Sequence, residues 1–296
     1  MGVRATLRAM APRHFALLAI TAGLLGGCKS SPTKPDEATG KEPLPPAPPV
    51  PPGPPGPPGP PNIWKPTPGT SWQWQLSGTI DTSLAVAMYD LDLFDAPDAV
   101  FSDLHARGIK IVCYFSAGSH EPWRADAAEL PPDAIGRALE GWPDERWLDI
   151  RSAAVRTRMK ARLARAKERG CDAVEPDNVD GYTNRSGFPL TAADQLDFNR
   201  FLAREAHALG LSIGLKNDLD QVPELVTEFD WALVEECLAY DECAALAPFI
   251  AANKAVFHVE YGADTLARTV CPKMKPLRFD TLIKNVALDA RRVACR

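Results

Sequence analysis

Several features that would assign this chain to a common class are missing. No Gly-rich phosphate loop follows the first strand-like run, which excludes the fingerprint of a dinucleotide-binding open sheet. No Cys-x2-Cys pair or tight Cys/His cluster occurs, which argues against structural zinc. Histidine is scarce, at 5 residues, and His258 is the only one near a strand end, so a catalytic zinc site lacks its usual ligands. Neither a metal nor a cofactor is therefore expected. There is no basic stripe either. The formal net charge is −5; Arg4, Arg8 and Arg13 lie in the first 27 residues, and residues 28–61 are balanced. Residues 62–296 therefore carry about −8, which excludes nucleic acid as a partner and suits a cationic ligand. The apolar run from Phe15 to Leu25 is too short to span a bilayer comfortably.

That run has another reading. A basic start, a short apolar stretch and small residues before a cleavage point describe an export signal over residues 1–27. Leu25-Gly26-Gly27-Cys28 resembles a bacterial lipobox, with Cys28 as the lipidated residue. Lys29, where some lipoproteins carry Asp, points by the same resemblance to the outer membrane or cell surface. Residues 28–61 form a tether. Between Pro43 and Pro61, 13 of 19 residues are proline. Such a segment is stiff polyproline II with a reach of about 60 Å. Its few Pro-Pro-Gly triplets are too short a series for a collagen rod. The expected protein is an exported lipoprotein, a monomer held off a membrane by its lipid anchor.

Residues 62–296 are long enough for one substantial core. Strand-like runs occur at 71–76, 85–90, 110–115, 173–177, 212–216, 232–235 and 255–260, with a weaker one near 276–280. Helical patterns cover 96–107, 154–169 and 192–209, ending at Gly108, Gly170 and Gly210. Thr191 is placed to cap the third. Residues 119–150 read as an irregular insertion. Alternating strands and helices imply a parallel sheet, and eight strands in this length predict a (β/α)8 TIM barrel with its chemistry at the C-terminal strand ends. In an oxidising compartment Cys237 is expected to pair with Cys243 and Cys271 with Cys295. Cys113 and Cys171, in apolar strand contexts, read as small core residues.

The strand ends are unusually polar. They offer Asp90 and Asp92, Tyr114 and Ser116, Asp177 and Asp180, Lys216 and Asn217, Glu235 and Glu236, and Glu260 with Tyr261. A buried carboxylate is costly without a partner or a task. Single acids at such places are commonly helix caps, but six polar strand ends together describe a carboxylate-rich cleft for sugar hydroxyls. Two acid-tipped strands, ending at Asp177 and Glu235, suggest the paired carboxylates of glycoside hydrolysis. Alternation and Pro176 are read as directing Glu175 elsewhere.

Trp72-Gln73-Trp74-Gln75-Leu76, Tyr89-Asp90-Leu91-Asp92, Cys113-Tyr114-Phe115-Ser116-Ala117-Gly118, Glu175-Pro176-Asp177-Asn178-Val179-Asp180-Gly181-Tyr182, Gly214-Leu215-Lys216-Asn217-Asp218 and Glu235-Glu236-Cys237 resemble glycoside hydrolase family 114, the endo-α-1,4-polygalactosaminidase-like barrels. The likeness spans residues 64 to about 262. It implies a retaining enzyme that cleaves α-1,4-linked galactosamine polymers, with Asp177 as nucleophile and Glu235 as general acid and base. Asp90, Asp92 and Asp180 become candidate partners for the sugar ammonium, and Tyr114 and Tyr261 candidate ring contacts. Asp180 reads equally as a turn former before Gly181. Lys216 would orient a carboxylate, bind a hydroxyl or form a structural ion pair, and Asn217 lies beside it. Glu236, where relatives often carry Gln, or another close carboxylate would raise the Glu235 pKa by repulsion. Val234 departs from the Asn common in relatives. A silent sugar-binding lipoprotein on the same barrel is the rival reading, and a metal-dependent hydrolase a weaker one.

Overall fold

The computed structural model describes residues 63–295. The leader, Cys28 and the proline tether lie outside the described residues. Three strands open the domain: β1 (Trp72–Gln75), β2 (Met88–Asp92) and β3 (Lys110–Ser116), with α1 (Asp98–Ala106) between the last two. An insertion follows, with β4 (Ser119–His120), β5 (Ile135–Leu139) and β6 (Trp142–Leu148). Then come α2 (Ala153–Glu168), β7 (Ala173–Asp177), α3 (Ala192–Ala208), β8 (Ser212–Lys216), α4 (Val222–Leu225), β9 (Trp231–Glu235), α5 (Ala247–Ala251), β10 (Val256–Tyr261), α6 (Ala267–Met274), β11 (Asp280–Lys284) and β12 (Val293–Ala294).

The main sheet runs β1-β2-β3-β7-β8-β9-β10-β11, parallel throughout, with β12 antiparallel on the edge of β11. Period-two alternation divides its side chains into two sets. One set, including Trp72, Trp74, Met88, Val112, Trp231, Leu233 and Phe257, packs on the concave face of the curled sheet. The other, including Leu91, Ile111, Cys113, Phe115, Val174, Ile213, Leu215 and Val234, packs under the helices. Val234 therefore faces the helix layer. Gly214 makes room for the concave filling: a Cβ there would stand 2.4 Å from the Trp231 ring.

The expected barrel holds in the number, direction and order of its parallel strands. No backbone ladder joins β1 to β11 among the described residues, because β12 and the preceding loop occupy that edge. The gap is bridged instead by Leu76 N–H to Leu288 O at 2.9 Å, Trp72 Nε1 to Asp280 O at 2.8 Å and Gln73 Nε2 to Ala290 O at 2.9 Å. The final parallel strand begins at Asp280, beyond the predicted 276–280, since Pro276 lies in a 3-10 turn and Arg278 takes φ +61°. The insertion is not irregular: β4, β6 and β5 form a small antiparallel sheet. It is tied to α2 through Arg162, which donates to Asp126 Oδ1 and to Ser116 O at 2.9 and 2.7 Å. Thr191 caps α3, its Oγ1 accepting from Asp194 N at 3.1 Å while Asp194 Oδ2 accepts from Thr191 N at 2.8 Å.

Disulfides join Cys237 to Cys243 and Cys271 to Cys295. A third joins Cys113 to Cys171 and corrects the reading of those two as reduced core residues. Cys113 stands on β3 and Cys171 just before the neighbouring β7, so adjacency in the sheet, invisible in sequence, brings them together.

Candidate active site

Three neighbouring strands deliver the charged centre. Glu175 and Asp177 end β7, Lys216 ends β8 and Glu235 ends β9, all on the concave face. The Lys216 side chain is only 1% exposed. Its Nζ lies 2.8 Å from Glu175 Oε1, 3.2 Å from Asp177 Oδ1 and 3.3 Å from Glu235 Oε2, and 4.7 Å above the Trp74 ring. Burial pulls this lysine down, but Asp177, Glu175 and Glu235 outweigh it and hold the ammonium well above its ordinary pKa. Lys216 is thus the shared counterion of the cleft.

Each outer carboxylate is also fixed from its own side. Asp177 Oδ2 accepts from Tyr114 Oη at 2.9 Å, and Oδ1 from the Asn178 backbone N–H at 2.8 Å. Glu235 Oε1 accepts from Tyr261 Oη, and Oε2 from Asn217 Nδ2 at 3.3 Å. Asn217 Oδ1 returns the contact by accepting from Glu235 N at 3.1 Å. The residues just past the three strand ends, Asn178, Asn217 and Glu236, all take the left-handed conformation, at φ +60°, +51° and +55°. Three such turns side by side concentrate backbone strain at the cleft. Gly118 is required beside them, because a Cβ would stand 1.8 Å from Asn178 O.

Residues 54–296 match the model of glycoside-hydrolase family GH114. The chain belongs to this family. The crystal structure of Aspergillus fumigatus Ega3 in complex with galactosamine is 40% identical, covers 78% of this chain and 97% of that one, and superposes with a TM-score of 0.76. The glycoside hydrolase domain of PelA from Pseudomonas aeruginosa is 15% identical over 76% of this chain and 98% of that one, with a TM-score of 0.62; it shares the fold. No curated protein matches the chain. The family match extends past residue 262, where the sequence motifs faded, to the seam-filling β12.

The carboxyl groups of the cleft have different surroundings. Burial pushes Glu235 up; Lys216 opposes this and Asp177 adds to it. The like-charge push on Glu235 expected from Glu236 or another close carboxylate comes from Asp177, after burial. Glu236 is itself raised, by burial and then by Glu235 and Glu260.

Two expected ammonium partners are already engaged. Asp90 is 0% exposed and lies beneath Lys216, against Glu175. Asp92 is gripped by Arg124 at 2.7 and 3.0 Å. Asp180 precedes the 3-10 turn Gly181–Thr183 and its carbonyl accepts from Thr183 N at 3.0 Å, in keeping with the turn role. Tyr114 and Tyr261 direct their hydroxyls at the two carboxylates.

Two residues were missed. Glu175 shares the concave face with Asp177, since positions two apart on a strand point the same way, so alternation brings it into the cleft and does not direct it elsewhere. Glu145, on β6, is pushed up to about 8 by burial and then by Glu121. Its Oε2 accepts from Ser119 Oγ at 2.7 Å, and Ser119, Ser116 and Asn178 continue the chain to the nucleophile candidate. Its signal was hidden in the insertion. The one metal-like grouping among the described residues is Cys237, Cys243 and His258. The two sulfurs are bonded to each other, and the His258 nitrogens lie 3.0 Å from Thr281 Oγ1 and Glu260 Oε1.

Proposed function

We propose that this hydrolase cleaves α-1,4-linked galactosamine-containing polysaccharide with retention of configuration. The observation that carries the mechanism is the position of Lys216 Nζ, at 3.2 Å from Asp177 Oδ1 and 3.3 Å from Glu235 Oε2. Those two oxygens are separated by at most the sum of these contacts, about 6.5 Å. Retaining enzymes hold their carboxyl groups about 5–5.5 Å apart, and inverting ones need about 6.5–9.5 Å. Asp177 attacks the anomeric carbon as the glycosidic C–O bond breaks, and Glu235 gives its proton to the leaving oxygen. Water then attacks the same carbon, loses a proton to Glu235 and releases Asp177.

The galactosamine assignment draws support from Ega3, whose crystal structure holds galactosamine, and from the domain charge of about −8. Trp123 and Tyr240, 44% and 41% exposed, stand in the insertion after β3 and the loop after β9 and offer ring faces to a polymer. The leader, lipobox and tether support an exported lipoprotein at the outer membrane or cell surface, and three disulfides suit such a compartment. A single domain on a lipid tether is proposed to act as a monomer.

The test is incubation of the protein with deacetylated and acetylated galactosamine polymers, followed by product sizing and polarimetry or NMR of the first-formed anomer. Asp177→Asn and Glu235→Gln should each lower turnover by about 10²–10⁴-fold or more while polymer binding survives. An inverted product, or variants as active as the parent, would overturn the assignment.

A further inference from the structure

Beneath the cleft lie two carboxyl groups for which the two-carboxylate mechanism has no use. Asp90 and Glu175 are both 0% exposed and within hydrogen-bonding reach of each other. No N–H or O–H group donates to either Asp90 oxygen or to Glu175 Oε2. Buried acceptors left without donors are strongly disfavoured, and two adjacent buried carboxylates repel. One proton between them removes both problems, because a carboxylic acid donates where a carboxylate only accepts.

Resting on the retaining reading above, we infer that Asp90 and Glu175 share one proton and form a floor of constant charge, which anchors Lys216 so that its ammonium serves Asp177 and Glu235 in turn. The charges support this division. The groups facing the pair are Glu175 and Asp177 on β7, Lys216 on β8 and, on the flanking strands β1 and β3, uncharged Trp74 and Val112 in register with Asp90. Tyr114 and Glu235 complete the ring around Lys216. Four carboxyl groups thus surround one ammonium. With a proton on the floor pair and another on Glu235, two negative charges face one positive. Formation of the glycosyl ester neutralises Asp177, and loss of its proton makes Glu235 negative. The sum is unchanged and only its place moves. Lys216 meets both states without leaving its third contact, Glu175 Oε1 at 2.8 Å. Burial and Glu175 hold the Asp90 carboxyl well above its ordinary range, while Glu175 is pushed up by burial and pulled back by Lys216, which places the shared proton on the Asp90 side.

Asp90 and Glu175 are positioning residues, and the pH profile separates that role from a structural one. Glu175→Gln removes the fixed negative charge under Lys216. Both limbs of the kcat/KM profile should then move to lower pH by about one unit, a tenfold change at a fixed pH on either limb. Asp90→Leu removes the proton donor and should cost at least about tenfold at neutral pH. Asp90→Asn, which donates an N–H and never ionises, should recover most of that loss. Lowered activity in Glu175→Gln with both limbs unmoved would overturn the inference, as would an Asp90→Asn no better than Asp90→Leu. A readout without turnover distinguishes this failure from failure of the hydrolase mechanism. In the Glu235→Gln background, adding Asp90→Asn should delete one protonated-carboxyl stretch from the infrared spectrum at neutral pH. An unchanged spectrum would mean that the floor holds no proton.

Discussion

Two lysines are buried at the C-terminal ends of strands in this sheet, and they live in opposite worlds. Lys216, on β8, faces three carboxylates within 3.3 Å. Lys284, on β11, is 0% exposed, donates to Asp289 O at 2.7 Å and lies 3.5 Å from the Gln73 amide oxygen. Burial pushes Lys284 down to about 7; Asp289 opposes it and Arg292 and Arg291 reinforce it. The same burial acts on Lys216, and the three carboxylates reverse it. Depth alone therefore does not decide whether a lysine is a charge or a neutral packing group. The number of carboxylates within reach does, and that number separates the carboxylate-lined wall from the seam.

Removing each lysine tests that contrast most severely. Lys216→Met would strand three buried carboxylates without a cation. Breaking a buried ion pair from one side costs about 3–5 kcal/mol, so chemical denaturation should show a loss of that order, with hydrolysis falling below detection. A stable, active Lys216→Met variant would mean that the carboxylates do not depend on it. Lys284→Met should behave differently. An unfolded lysine stays protonated to about pH 10.4, whereas folded Lys284 releases its proton near 7. Between those values the unfolded chain binds the extra proton, so wild-type stability rises with pH, by up to about 1.4 kcal/mol per unit. The methionine variant lacks this slope, and groups common to both proteins cancel. Relative to the variant, wild type should gain about 2–3 kcal/mol between pH 7 and 9 in paired denaturation curves; parallel stabilities would refute the assignment. The smallest effect is expected from converting one environment toward the other. Gln73→Glu places a carboxylate beside Lys284, raises its pKa and should flatten that pH slope by roughly half or more.

Sequence made the carboxylate-lined wall readable and the seam obscure, for physical reasons. Asp177, Lys216, Asn217, Glu235 and Tyr261 sit at the tips of short apolar runs bounded by turns, where a parallel sheet leaves its polar groups. Glu175 is equally legible, because period-two alternation puts it on the face of Asp177 and Pro176 does not turn it away. Asp90 and Asp92 were visible as strand-end acids, but their partners, Glu175 and Arg124, come from elsewhere in the chain. Glu145 sits on a strand of a small antiparallel sheet whose register shifts between Ile135 and Leu139 break the alternation that would announce it. At the seam, β12 is two residues long and gives no periodic signal. The Cys113–Cys171 bond required knowing that β3 neighbours β7, although 58 positions separate the two cysteines.

The seam also sets an order of assembly. The wall between β1 and β11 is filled by residues 285–294, the last of the domain to leave a ribosome, and the Cys271–Cys295 bond fastens them. A nascent chain lacking this segment exposes the concave edges of its first and last strands and cannot seal the ring. Completion of the fold thus waits for this one segment, and any process that must handle the domain unfolded has until its arrival to act.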